Sequence, residues 1–164
     1  MHPRNPYKDG VPQEFLMEIY KNEKEGREFL HLNENGKIQV LESQESDLFI
    51  TKRLLKRDFD IDISEDARHG SIVPALPLRL NFLFNAFDFV YKVLALSECG
   101  GLSESSIVAL DVGCGPYGII GQLAAKLFRW QVKYTGAASS KKRKEGSNIP
   151  LALVLFVKRT RTSE

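Results

Sequence analysis

Cysteine is scarce in this chain of 164 residues: only Cys99 and Cys114 occur, with no Cys-x-x-Cys spacing. No apolar run follows a basic N-terminus, so the thiols point to an intracellular, reducing setting rather than a disulfide scaffold. No stretch approaches the roughly 20 apolar residues that cross a bilayer. Charge of one sign is missing too. Lys and Arg number 23 against 21 Asp and Glu, a net charge of +2, so attraction to a polyanion has to come from local patches. No repeat is visible. With 43% hydrophobic residues, 27% charged residues and 10 Phe, the chain is too apolar to be disordered throughout and long enough for one packed domain.

Read in order, residues 1–10 (MHPRNPYKDG) are polar, carry two prolines and place Arg4 and Lys8 around Tyr7, the composition of an arm. Phe15, Leu16, Ile19 and Tyr20 follow at helical spacing behind Pro12, a residue suited to a first turn. Asn35-Gly36 marks a turn, and Lys37 to Leu41 alternates like a brief strand. Ser43 to Arg57 begins with a Ser cap and an acidic first turn and ends basic, which predicts a helix. Pro74 to Leu96 is the most apolar segment, with Leu80, Phe84, Phe87, Val90, Tyr91 and Leu94 on one side of a helical projection. Its four phenylalanines are assigned to the core rather than to an aromatic binding box. Ser106 to Val112 then reads as a buried strand, Gly118 to Arg129 as a helix and Trp130 to Thr135 as a second strand, one βαβ unit. From Gly136 the chain turns basic and low in complexity, and the apolar run Leu151 to Val157 has the length of a strand.

The chemistry concentrates where the strand ending in Asp111 enters Gly113-Cys114-Gly115-Pro116-Tyr117-Gly118. Glycines let the backbone bend tightly and let a ligand approach its amides, and the following helix offers unpaired N–H groups at its positive end. The spacing also matches the dinucleotide fingerprint. No Asp or Glu occurs between Asp111 and Glu145, however, so the ribose-binding carboxylate expected about 20 residues on is missing. Asp-x-Gly-x-Gly is instead the pattern of S-adenosylmethionine enzymes, with an ordinary turn or helix-cap carboxylate as the alternative for Asp111. Arg79 stands at the start of the apolar helix, where a cation faces the unfavourable end of the dipole. A nearby anion explains it, and a guanidinium reaching solvent explains it equally.

These pieces resemble one family in order and spacing over residues 1–130. The matching residues are Met1, His2, Arg4, Asn5, Tyr7, Lys8 and Asp9; Pro12 to Phe15; Asn33, Asn35 and Gly36; Leu54, Leu55, Asp58 and Phe59; Pro74 and Pro77-Leu78-Arg79-Leu80-Asn81; and Leu110-Asp111-Val112-Gly113 with Gly115. The resemblance is to the methyltransferase-like 16 family, adenosine N6-methyltransferases acting on structured RNA such as U6 small nuclear RNA, with bacterial relatives that modify large-subunit ribosomal RNA. It implies an α/β, Rossmann-like S-adenosylmethionine-dependent methyltransferase fold with a helical N-terminal RNA-binding module. It further implies S-adenosyl-L-methionine held by Arg79, Asp111, Gly113 and Gly115, with Arg79 on the methionine carboxylate. RNA would be met by Arg4, Asn5, Lys8, Pro12 and Phe15, largely through phosphates. Pro6 stands where the family often has a second arginine. The implied partner is a structured RNA in the nucleus and/or cytoplasm, with no membrane and no metal.

The departures from that family bear on catalysis. The second strand carries no terminal acidic residue, and there is no Asn-Pro-Pro-Phe segment to hold the target amino group and stack on its base, so no catalytic residue is assigned. Asn148-Ile149-Pro150-Leu151 echoes that segment without its ring and is read as coincidence. With 164 − 118 = 46 residues after Gly118, at some 30 residues per βα pair, the expectation is an incomplete sheet. The expected organisation is therefore 1–72 as arm and helical module, 73–135 as the start of the methyltransferase domain, and 136–164 as basic link and divergent tail. The first functional reading is an RNA adenosine N6-methyltransferase sequence that is inactive alone. A non-catalytic RNA-binding fragment is the alternative, and a nicotinamide oxidoreductase ranks last for want of the second-strand carboxylate. Lys141 to Lys144 is read as a solvated spacer rather than a nuclear address.

Overall fold

The computed structural model describes residues 1–63, 75–96, 107–112, 114–115, 117–135 and 152–157. Gly113, Pro116 and the basic link lie outside the described residues, and so do Pro74 and the Asn148 to Leu151 echo. The chain divides into two compact units. One takes Met1–Asp62 with Gly70–Asn81, and the other Ile63–His69 with Phe82–Glu164, so the division falls within a long helix.

In the first unit, α1 (Gln13–Asn22) buries Phe15, Leu16 and Ile19, the predicted apolar face. Glu23 ends it, and Gly26 opens the short α2 (Gly26–Phe29) where a Cβ would sit 2.7 Å from the Ile19 carbonyl oxygen. That approach admits only glycine without a shift of backbone. β1 (Leu30–Leu32) and β2 (Ile38–Val40) form an antiparallel hairpin in which His31 faces Gln39. Its turn is an Asn33 device: Oδ1 accepts from the amides of Asn35 and Lys37 at 3.0 and 2.9 Å, and Gly36 takes a φ of 71°. The Gln13 side chain closes the free edge of β2, donating to the Ile38 carbonyl at 3.1 Å and accepting from its amide at 2.9 Å. α3 (Gln44–Phe59) starts on Ser43, whose Oγ accepts from the Ser46 amide at 3.0 Å. It stops in a left-handed residue, Asp60, whose amide reaches back to the Lys56 carbonyl at 3.1 Å, an αL closure, while the Ile61 amide reaches the Leu55 carbonyl at 3.1 Å.

α4 (Leu76–Leu96) contributes its first turns to this unit and the rest to the second. Leu80, Leu83, Phe84 and Val90 are buried along it. Of its four phenylalanines only Phe84 is buried; Phe87 is half-buried, while Phe82 and Phe89 are 38% and 68% exposed. The assignment of all four to the core is thus corrected. Phe82 and Phe89 are seven residues apart and so share one helix face, and that face is turned away from Leu83 and Val90.

In the second unit, β3 (Ile107–Val112) is central, α5 (Ile119–Phe128) follows it, and β4 (Gln131–Thr135) pairs with β3 in parallel from Val108↔Gln131 to Val112↔Thr135. This is the expected βαβ unit. β5 (Ala152–Val157) lies on the other side of β3, antiparallel, with Ile107 opposite Val157. A doubly wound sheet flanks its first strand with parallel neighbours on both sides, so this sheet is mixed where that pattern is uniform. Ile107, Ala109 and Asp111 form the buried face of β3. An aromatic cluster fills the core: Phe128 lies 4.4 Å from Phe87, 5.8 Å from Phe84 and 5.1 Å from Trp130 between ring centroids.

Candidate functional site

Asp111 ends the buried face of β3 and is 1% exposed. Its Oδ2 accepts from the Gly121 amide at 3.1 Å, so a carboxylate on the strand caps the first turn of the following helix. The helix-cap role weighed for Asp111 is therefore real, and it ties the end of β3 to the first turn of α5. Gly115 has a φ of 68° and, among the described residues, nothing within 4 Å of where a Cβ would stand, which leaves that face open to them. Gly118 has a φ of 54° and stands just before α5 as its N-cap residue. A Cβ on Gly121 would lie 2.4 Å from Tyr134 Cε1 and 2.8 Å from Val132 Cγ1, so the helix start rests directly on β4. Close helix–strand packing is the work of glycine in such turns.

The surrounding groups are neutral. Burial first, and then the Asp111 charge, push the Cys114 thiol above its usual range, which keeps it protonated and a poor nucleophile. Tyr134 stands beside Asp111 in strand register, and burial followed by the Asp111 charge raises its hydroxyl as well. No group of His, Cys, Asp and Glu among the described residues could hold a metal ion.

In the first unit the polar N-terminal segment is folded as successive turns, with Asn5 N to His2 O at 3.0 Å, Lys8 N to Asn5 O at 3.1 Å and Gly10 N to Tyr7 O at 3.1 Å. Asn5 and Tyr7 point inward, each 1% exposed, while Arg4 and Lys8 are exposed. Pro12 is the residue before α1 and is half-buried. Phe15 is 7% exposed beneath the Arg57 guanidinium, which lies 4.0 Å from its ring centroid. Of the five residues expected at RNA, Arg4 and Lys8 thus present charge outward, whereas Asn5 and Phe15 are built into the protein. The Arg79 side chain, half-buried on α4, makes no hydrogen bond or ion pair among the described residues.

One cluster escapes sequence reading. The Tyr7 hydroxyl donates to Asp58, and Arg57 donates to the same carboxylate through Nη2 at 2.7 Å. Burial, then Asp58, raises the Tyr7 hydroxyl above its usual range; Arg57 holds the Asp58 carboxyl below its own. Fifty-one positions separate Tyr7 from Asp58, and only the adjacency of Arg57 and Asp58 was readable. Other basic side chains of α3 are likewise spent within the unit. Arg53 pairs with Glu23 at 2.8 Å, and Lys56 with Asp60 and Asp62 at 3.2 and 2.7 Å.

A family model described as RNA methyltransferase matches residues 1–146. The chain is 35% identical over 133 residues to the U6 small nuclear RNA (adenine-(43)-N(6))-methyltransferase of Drosophila melanogaster, covering 80% of this chain and 39% of that protein. Against the Caenorhabditis briggsae enzyme of the same name it is 30% identical over 132 residues, 80% of this chain and 25% of that one. Among solved structures, the N-terminal domain of human METTL16 in complex with SAH is similar with a TM-score of 0.62 at 26% identity, over 82% of this chain and 48% of that chain. The human METTL16 catalytic domain in complex with a MAT2A 3′UTR hairpin gives 0.62 at 27% identity, over 82% and 43%. The chain spans well under half the length of these curated relatives, and its α/β architecture is the corresponding part of a methyltransferase fold. By the match over residues 1–146, this chain belongs to the RNA methyltransferase family.

Proposed function

We propose that these residues carry the cofactor-binding turn and the RNA-facing surface of an S-adenosylmethionine-dependent RNA adenosine N6-methyltransferase. The carrying observation is the strand–turn–helix in which Asp111 pins the Gly121 amide and leaves Gly115 open. Taken unit by unit, Gly115 lets a ligand approach backbone in the second, and in the first Arg79 is a cation of the kind that suits the methionine carboxylate. When bound, S-adenosylmethionine supplies the methyl group. Arg4 and Lys8 meet RNA phosphates and set register rather than sequence. The names of the relatives support U6-like RNA as the substrate class, in the nucleus and/or cytoplasm. The sequence contains no Asn-Pro-Pro-aromatic segment, so the 164 residues alone are expected to bind without transferring methyl.

Calorimetry with S-adenosylmethionine and gel shift with a U6-like hairpin test this reading. Binding of both is expected, with RNA affinity falling steeply with salt and the salt slope dropping by about 0.7–0.9 on Lys8→Ala. Tight NADH binding without S-adenosylmethionine binding contradicts the cofactor assignment. Salt-insensitive RNA binding unaffected by Arg4→Ala contradicts the RNA surface, and robust methyl transfer by the purified chain contradicts the expected inactivity.

A further inference from the structure

The N-terminal turns grip the start of α4 on both sides of Arg79. Asn5 Nδ2 donates to the Pro77 carbonyl at 2.8 Å, and the His2 amide donates to Asn81 Oδ1. Arg79 lies between these anchors, in a turn where its own amide and that of Leu78 both reach the Ala75 carbonyl at 3.1 Å. The other end of the Asn5 amide is committed as well: Oδ1 accepts from the Tyr7 amide at 3.0 Å, within the turns that set Arg4 and Lys8 outward. One side chain, 1% exposed, therefore divides its donor and its acceptor between two segments some 72 positions apart. Solvent cannot substitute for either partner at that burial, so displacing the Pro77 segment leaves the Asn5 amide with only a weak contact to Met1 Sδ at 3.7 Å.

We propose that Asn5 is a positioning residue that couples RNA binding at Arg4 and Lys8 to anion binding at Arg79, each ligand raising affinity for the other. The proposal rests on the reading that Arg79 meets the cofactor carboxylate and that the arm meets phosphates. A ligand that favours the folded turns of the arm favours the two bonds of Asn5, and through them the Pro77–Asn81 turn, so the second ligand meets its site already set. Linkage requires the same factor in both directions.

The experiment measures S-adenosylmethionine affinity with and without a saturating adenosine-bearing RNA hairpin, and hairpin affinity with and without saturating cofactor, on the whole chain. Three proteins are compared: wild type, Asn5→Asp and Asn81→Ala. Asn5→Asp keeps an acceptor for the Tyr7 amide and replaces the donor facing Pro77, so it cuts one link selectively. Asn81→Ala removes the acceptor of the His2 amide and serves if the first variant does not fold. The wild type is expected to show about fivefold mutual enhancement or more, equal in both directions. Asn5→Asp is expected to bring that factor close to one, Asn81→Ala to lower it less, and both to speed amide exchange at residues 78–81. A purely structural role would weaken both affinities and leave the factor unchanged. An unchanged factor in either folded variant, or a wild-type factor of one with both ligands bound, overturns the coupling and leaves the functional reading standing. Binding of neither ligand overturns both.

Discussion

The two units are held together by different kinds of force, and the difference bears on what each can do. The first is laced by directed polar contacts between segments distant in sequence: Gln13 to Ile38, Tyr7 to Asp58, Arg53 to Glu23 and Asn5 to Pro77. Such bonds are orientation-dependent, so they set which way Arg4 and Lys8 point. The second is packed by rings around Phe128 and by a helix start lying on β4, forces that follow area and shape rather than direction. Its one described buried charge, Asp111, is spent on tying β3 to the first turn of α5. Directed bonds aim side chains; non-directional packing supports exposed backbone.

That contrast predicts where each unit breaks. The largest effect is expected from Phe128→Ala, which empties the centre of the ring cluster and should cost the second unit about 3–5 kcal/mol in denaturant unfolding. Gly26→Ala comes next. Its Cβ would meet the Ile19 backbone at 2.7 Å, an overpacking of about 1–3 kcal/mol that should leave cofactor binding unchanged. Tyr7→Phe keeps the ring and removes the hydroxyl from Asp58, costing about 1 kcal/mol, with a larger relative loss in RNA affinity than in cofactor affinity.

The smallest effect is on pH dependence. Hydrogen bonds from Arg57, and then from Tyr7, hold Asp58 below its usual range, so this contribution is present above about pH 4 and lost as pH falls through the lowered value. The raised Tyr7 hydroxyl has the opposite sense: its contribution is present below about pH 10 and lost as pH rises beyond that. Thermal unfolding across pH should show both limbs, and Asp58→Asn should flatten the acid one.

Local signals made most elements legible before any coordinates. The Ser43 cap, the Asn35-Gly36 turn and the strand–glycine–helix passage each depend on residues within a few positions of one another, and α3, the hairpin turn and the β3–α5–β4 unit follow them. Two short elements, α2 and β1, carried too few residues for a period to register. What remained hidden is long-range. Nothing in the sequence pairs Tyr7 with Asp58 or Asn5 with Pro77, so a segment that reads as a polar arm is a folded cap with two buried residues. The assignment of all four α4 phenylalanines to the core failed for Phe82 and Phe89, which stand off the face of Leu80, Phe84 and Val90 that the helical projection names.

The central claim is that the first unit aims at RNA while the turn after β3 takes the cofactor. Parallel titrations of Gly115→Val and of the Arg4→Ala/Lys8→Ala pair, each with cofactor alone and RNA alone, test it most directly. Gly115→Val places a side chain on the open face of a residue whose φ of 68° disfavours one. It is expected to abolish S-adenosylmethionine binding and leave RNA binding in place, while the paired variant loses RNA affinity and salt slope and keeps the cofactor. Loss of RNA binding in a folded Gly115→Val chain, or intact RNA affinity in the paired variant, would contradict it.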